Sequence, residues 1–245
     1  MAFDNLMTGQ AMLRSVRPEA RVTIDGKSFD VGGLVGQPNH AFLLPEWLEN
    51  MKADPNAMQL IGFEIGKPVE RIAWGRTRRA ATDATWPPKG AYLRMDYALP
   101  TDSADRNDEE SASRVSVHYE LYDGVPVMSK WISVHNHSDR QIIVDRFTSE
   151  ELAVVEHSNS IETRPGSPLP RPDYLHVETD FAFGGFAPSP ANRHVVHWKT
   201  DPTYKTQVNY LLQTPCLLVC EPTYGPAQRI APGEQFEGFR VFELV

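Results

Sequence analysis

The sequence lacks any continuous apolar run of about 18 residues, and no succession of basic, apolar and small residues follows Met1. Neither a membrane-spanning helix nor a secretion signal is therefore expected, and the expected location is the cytoplasm. An excess of positive charge is missing too. Against 32 Asp and Glu stand 24 Lys and Arg, a formal net charge of -8, with the two signs mixed along the chain. Such a chain repels a phosphate backbone or an anionic bilayer, so neither nucleic acid nor membrane is an expected partner. Cysteine is scarce. If CLLVC is a strand, Cys216 and Cys220 share a face, but at about 3.3 Å per residue they lie about 13 Å apart, beyond disulfide reach. They read as reduced core residues, and a metal site would need closer spacing and further ligands. Also absent are a glycine-rich phosphate loop opening a helix and a G-x-S-x-G nucleophile turn. No metal, cofactor or catalytic residue is expected from these motifs.

What is present is strand pattern. In RVSVHYELYDGVPVMSKWISVHN, residues 114–136, Val115, Val117, Tyr119 and Leu121 fall on one face while Ser116, His118 and Glu120 fall on the other. The return arm puts Met128, Ile132 and Val134 on one side and Trp131, Ser133 and His135 on the other. Asp123-Gly124 tolerates positive φ and Pro126 presets φ at the return, so a long antiparallel hairpin with a turn of more than two residues is expected. Further strands are expected at 21–24, 92–96, 141–147, 152–156, 174–183, 194–198, 207–212, 217–219 and 237–245. Helix is thin: Pro45–Met51 suits a short turn with proline first, and Ser149–Val155 offers an acidic helix start. Twenty prolines and sixteen glycines punctuate the strands without forming a linker. The polar run Thr101–Ser113 reads as a solvated loop. A chain of 245 residues can bury roughly three quarters of its unfolded surface. The pattern predicts an all-β fold, one large antiparallel β-sandwich over residues 1–245 with few short helices.

Several clusters could carry chemistry. Trp74-Gly75-Arg76-Thr77-Arg78-Arg79 and Trp86-Pro87-Pro88-Lys89-Gly90 mix indoles and guanidinium groups in loop sequence. An indole can face the apolar side of a sugar while fork donors take its hydroxyls, and equally a proline-flanked tryptophan can simply pin a loop. Trp74, Arg76 and Trp86 are the candidate sugar-contacting residues. His135 and His137 share a face, yet Asn136, Ser138 and Asp139 spell a turn, which is the preferred reading. His176 and Glu178, with Asp180 and His197, could supply an acid and a base if they lie in a concavity; otherwise they are outward charges on a strand.

The hairpin resembles that of the N-terminal β-supersandwich domain of melibiase-like α-galactosidases, glycoside hydrolase family 36. The shared order is a tyrosine strand, an Asp-Gly-hydrophobic-Pro turn, a Lys-Trp strand and an asparagine end, here Tyr119, Asp123-Gly124-Val125-Pro126, Lys130-Trp131 and Asn136. APGEQFEGFRVFEL likewise resembles the strand leading toward that family's barrel. The resemblance implies a galactose mutarotase-like supersandwich, with the catalytic aspartate pair on a (β/α)₈ barrel that these residues do not include. It further implies galactosides as ligands, a parent barrel domain as partner, and a homo-oligomer with sugar sites shaped by loops of this domain.

The expected function is thus a non-catalytic sandwich domain, or fragment, of an α-galactosidase-like glycoside hydrolase, without glycosidase activity by itself. Two other readings stand beside it. One is a free-standing aldose 1-epimerase using His176 or His197 as acid and Glu178 as base. The other is a carbohydrate-binding module that stacks sugars on Trp74, Trp86 or Trp198.

Overall fold

The computed structural model describes residues 4–6, 8–38, 40, 42–71, 85–99, 113–157, 161–181 and 192–244. Its strands in chain order begin with β1 (Asp4–Asn5), β2 (Gln10–Ala11), β3 (Leu13–Ser15), β4 (Ala20–Ile24), β5 (Lys27–Val31) and β6 (Leu34–Val35). The short helix α1 (Pro45–Leu48) precedes β7 (Lys52–Ala53), β8 (Gln59–Gly66), β9 (Gly90–Ala98), β10 (Ser113–Tyr122), β11 (Val127–Asn136), β12 (Ile142–Thr148) and β13 (Glu150–Val154). The last six are β14 (His176–Thr179), β15 (Val196–Lys199), β16 (Leu217–Cys220), β17 (Gln228–Ile230), β18 (Gln235–Glu237) and β19 (Val241–Leu244).

One seven-stranded antiparallel sheet, ordered β14-β19-β11-β10-β9-β8 with β18 also paired to β11, forms a broad layer. Opposite it lie two four-stranded sheets, β17-β12-β4-β5 and β15-β16-β13-β3. Side chains from all three sheets meet in one hydrophobic core, which makes the fold a β-sandwich. Alternation in the hairpin explains why: Val115, Val117, Ile132 and Val134 are fully buried and Tyr119 nearly so, all on the inner face. The hairpin spans the middle of the large sheet, with Val117 opposite Ile132 and Val115 opposite Val134.

The turn of this hairpin runs through residues 123–126, as its composition predicts. Gly124 has φ of 74° and open space where a Cβ would stand. Its cost of substitution is therefore conformational, not steric. We expect Gly124→Val to destabilise the chain by about 1–3 kcal/mol, the range for a non-glycine residue held at positive φ, read from a shift of the denaturant midpoint. Gly90 differs. A Cβ there would stand 1.9 Å from the Leu121 carbonyl oxygen, so this residue lets β9 and β10 close against each other.

Two expectations fail. The segment 149–155 is not helical; in line with the strand also expected at 152–156, Glu150–Val154 is β13, paired to β16 and β3 and buried throughout, and that pairing outweighs an acidic helix start. Residues 207–212 form turns in place of a strand, held by the Asn209 amide, which donates to the Tyr204 carbonyl at 2.6 Å, while its own carbonyl accepts from the Thr214 amide at 3.1 Å. The expected strand 237–245 is split between β18 and β19. The loop 101–113 falls almost wholly outside the described residues.

Candidate functional site

Strand alternation should leave the outward face of β10 and β11 in solvent, but that face is also covered. Ser116, Glu120, Trp131 and Ser133 are all no more than 5% exposed, and His118 is 9% exposed. Ser116, His118, Trp131 and Ser133 form the floor of a concavity of about 440 Å³ on the outer side of the seven-stranded sheet. The volume lies in the range of small-molecule sites.

Register arranges its floor in rows across the strands. The first row sets Arg114 opposite His135, with Gln235 beyond. The second runs Asp96, Ser116, Ser133, Glu237, and the third Arg94, His118, Trp131. Successive rows lie two residues apart along each strand because side chains two apart share a face.

Hydrogen bonds tie the rows together. The Tyr92 hydroxyl lies 2.8 Å from His118 Nδ1, His118 Nε2 lies 2.9 Å from Ser133 Oγ, and that oxygen lies 2.9 Å from His135 Nε2. Ser116 donates to Asp96 Oδ1 at 2.6 Å. Trp131 is held between two neighbours: the His118 ring stacks on it at 4.7 Å and 6°, and the Arg240 guanidinium sits 3.8 Å from its centroid. The indole is consequently a wall of the site, not an open stacking platform. Arg240 is anchored in turn by Glu120 at 2.8 Å.

This setting keeps the imidazoles neutral. Burial, with Arg94 and His135 adding to it against Asp96, lowers the His118 pKa from 6.5 to about 4. Burial and then His137, with Arg94 and Arg114 helping, lower His135 as well. An imidazole depressed in the folded state binds fewer protons folded than unfolded between the two values. Its stabilising contribution is complete above about pH 6.5 and is lost as the pH falls toward about 4. We expect the stability gap between the wild type and His118→Gln to shrink by about 3 kcal/mol over that interval, followed by urea titration at stepped pH. A gap constant with pH would mean that His118 titrates normally.

Of the residues singled out from sequence, Trp74 and Arg76 lie outside the described residues. Trp86 is 46% exposed, ahead of β9. His176 and Glu178 do meet, at 2.9 Å, but both are exposed on edge strand β14 and do not line the concavity. His197 is on β15 in another sheet, its Nε2 3.1 Å from the Glu221 carbonyl. The structure therefore does not bring His197 to this pair.

At His135 and His137 the turn is present: Asn136 Oδ1 accepts from the Ser138 amide and hydroxyl, and its amide donates to the carbonyls of Arg140 and Ile230. Both rings nevertheless face the concavity. Among the described residues no group of three or more potential ligands suited to a metal ion occurs. Cys216 and Cys220 are buried free thiols. Among the described residues no helix is long and apolar enough to cross a membrane.

The hairpin pattern sorted His118 and the set Trp131, Ser133 and His135 onto faces of their strands but gave no concavity. The available signal was their identity: His118, Trp131, Ser133 and His135 are poor material for a plain solvated face.

No family model matches the chain, and no curated protein matches it. Among solved structures the chain is similar to the alpha-galactosidase from Lactobacillus brevis, at 10% sequence identity and a TM-score of 0.41, over 98% of this chain and 31% of the enzyme's. The chain thus spans less than a third of that protein's length. At this degree of likeness the functional reading rests on the residues of this chain.

Proposed function

We propose that this chain is a carbohydrate-binding sandwich domain of an α-galactosidase-like glycoside hydrolase, and that the sugar occupies the concave outer face of the seven-stranded sheet. The observation that carries the proposal is the 440 Å³ concavity, whose floor joins ring-bearing residues to Ser, Asp and Arg groups able to bond hydroxyls. The hairpin's resemblance to glycoside hydrolase family 36 supplies the galactoside class. Trp86, with Trp74 and Arg76, contributes from the segment before β9. The chain supports a catalytic barrel of the parent protein and an oligomer, and performs no glycosidic cleavage alone.

Titration with galactose tests this. A site open to solvent gains little beyond the cost of immobilising its ligand, so saturation is expected in the millimolar range. Asp96→Asn should weaken binding severalfold, with no turnover of aryl α-galactosides by either protein. No saturable change in tryptophan fluorescence or amide shifts up to about 100 mM would refute sugar binding.

The mutarotase alternative loses its first candidates, because His176 and Glu178 lie on an exposed edge. The bonded series Tyr92, His118, Ser133 and His135 is what still favours it, since neutral imidazoles suit proton exchange with a sugar. Polarimetry of fresh α-galactose decides: acceleration proportional to protein concentration selects the epimerase.

A further inference from the structure

Among the described residues the arginines around the concavity are paired, with one exception. Arg71 pairs with Asp180 and Glu237, each at 3.0 Å. Arg94 pairs with Glu64 and Asp96, and Arg240 with Glu120. Arg114 is exposed, and its guanidinium has neither a hydrogen-bond nor an ion-pair partner among the described residues. It stands at the first row, directly opposite His135, whose ring lies 6.1 Å from that of His137. Side chains directly opposite on antiparallel strands have Cβ atoms about 5 Å apart, close enough to share one ligand. Three groups that can present N–H donors thus surround a position to which no carboxylate of the described residues is paired, in a chain whose net charge is -8.

We propose that Arg114, His135, His137 and Gln235 form an anion subsite, so that the sugar taken by this concavity carries a carboxylate or a phosphate. The inference rests on the carbohydrate reading above and narrows its substrate class. A guanidinium fork matches two oxygens of either group, and the hydrogen bonds so formed are charge-assisted. His135 is set to respond. The ionisable groups facing it are Arg94 and Asp96 on β9, Arg114 and His118 on β10, His137 beyond β11 and Glu237 on β18. Three of the nearest are cationic or cationic when protonated, and they hold the His135 pKa down together with burial. A bound anion offsets them and raises it.

The test titrates the 245-residue chain with galacturonate, galactose 6-phosphate, galactose and inorganic phosphate, by calorimetry and by the His135 imidazole resonance. At least one acidic sugar should bind about tenfold more tightly than galactose and raise the His135 pKa, the gain expected from one charge-assisted contact. Which of the two does so identifies the anionic group. Arg114→Gln should erase the tenfold difference between the acidic sugar and galactose, each measured on the same variant, and Arg114→Lys should retain part of it. Equal affinity for galactose and both acidic sugars overturns the anion subsite but leaves the carbohydrate reading standing. Failure of every sugar to bind sinks both. A His135 shift as large with inorganic phosphate alone overturns selection of an acidic sugar.

Discussion

Lys130→Ala is expected to lower the unfolding free energy by about 3–5 kcal/mol, the cost of leaving a buried charge without its counterion. Lys130 is 1% exposed in the interior of the sandwich. Its ammonium lies 2.8 Å from Glu150 Oε1 and 3.7 Å from Glu19 Oε2, and 5.3 Å from the Tyr119 ring centroid. Tyr119 donates its hydroxyl to Glu19. Burial opposes the charged ammonium, but Glu150 and Glu19 outweigh it, and the Lys130 pKa is raised. A third carboxyl, Glu243, is also buried; desolvation and the neighbouring Glu150 push its pKa well up, which keeps it protonated. One ammonium therefore serves two carboxylates. Removing it leaves Glu150, 1% exposed, in a low-dielectric interior without its counterion, while Glu19 keeps the Tyr119 hydroxyl. The measurement is a urea titration at pH 7, and a loss under about 1 kcal/mol would show that water or a proton readily replaces the lysine. Lys130→Met combined with Glu150→Leu should cost less than Lys130→Ala, because the second change removes the carboxylate closest to the vacated position.

Ile132→Ala is expected to cost about 2–5 kcal/mol. Ile132 is fully buried on β11, which is paired to β10 on one side and to β18 and β19 on the other. What surrounds it resists collapse. Gly238 passes so close that a Cβ there would stand 2.9 Å from the Phe147 ring and 3.4 Å from Ile132 Cγ1, and its amide donates to the Ile132 carbonyl at 2.9 Å. The Phe147 ring is itself fixed between Phe236, at 5.2 Å, and Phe239, at 5.5 Å. With backbone on one side and packed aromatics on the other, the space left by three carbons stays open, which places the cost toward the upper part of the range. A loss within the error of the titration would place Ile132 outside the core.

These two residues share a hairpin, yet only one was legible as structural. Ile132 follows from alternation: apolar residues every second position must share the buried side. Lys130 occupies the same face, where pattern alone gives no reason for a charge. Glu150, its nearest partner, is twenty residues along the chain and Glu243 more than a hundred. Nothing local joins them.

Sequence by itself determined the all-β class, the central hairpin with its face assignment and turn, and the short helix at Pro45. Each depends on side-chain period or on local φ preferences, which act within a few residues. At Glu150–Val154 it offered both a strand, expected at 152–156, and an acidic helix start, and pairing with β16 and β3 decided for the strand. Tertiary structure alone decided the concavity. His118, Trp131 and His135 are outward residues in any single strand, and become a site only when β9, β10, β11 and β18 align in register. That Arg114 has no ion-pair partner among the described residues is visible only after the partners of Arg71, Arg94 and Arg240 are fixed, because an ion pair is a fact of three-dimensional distance and not of composition.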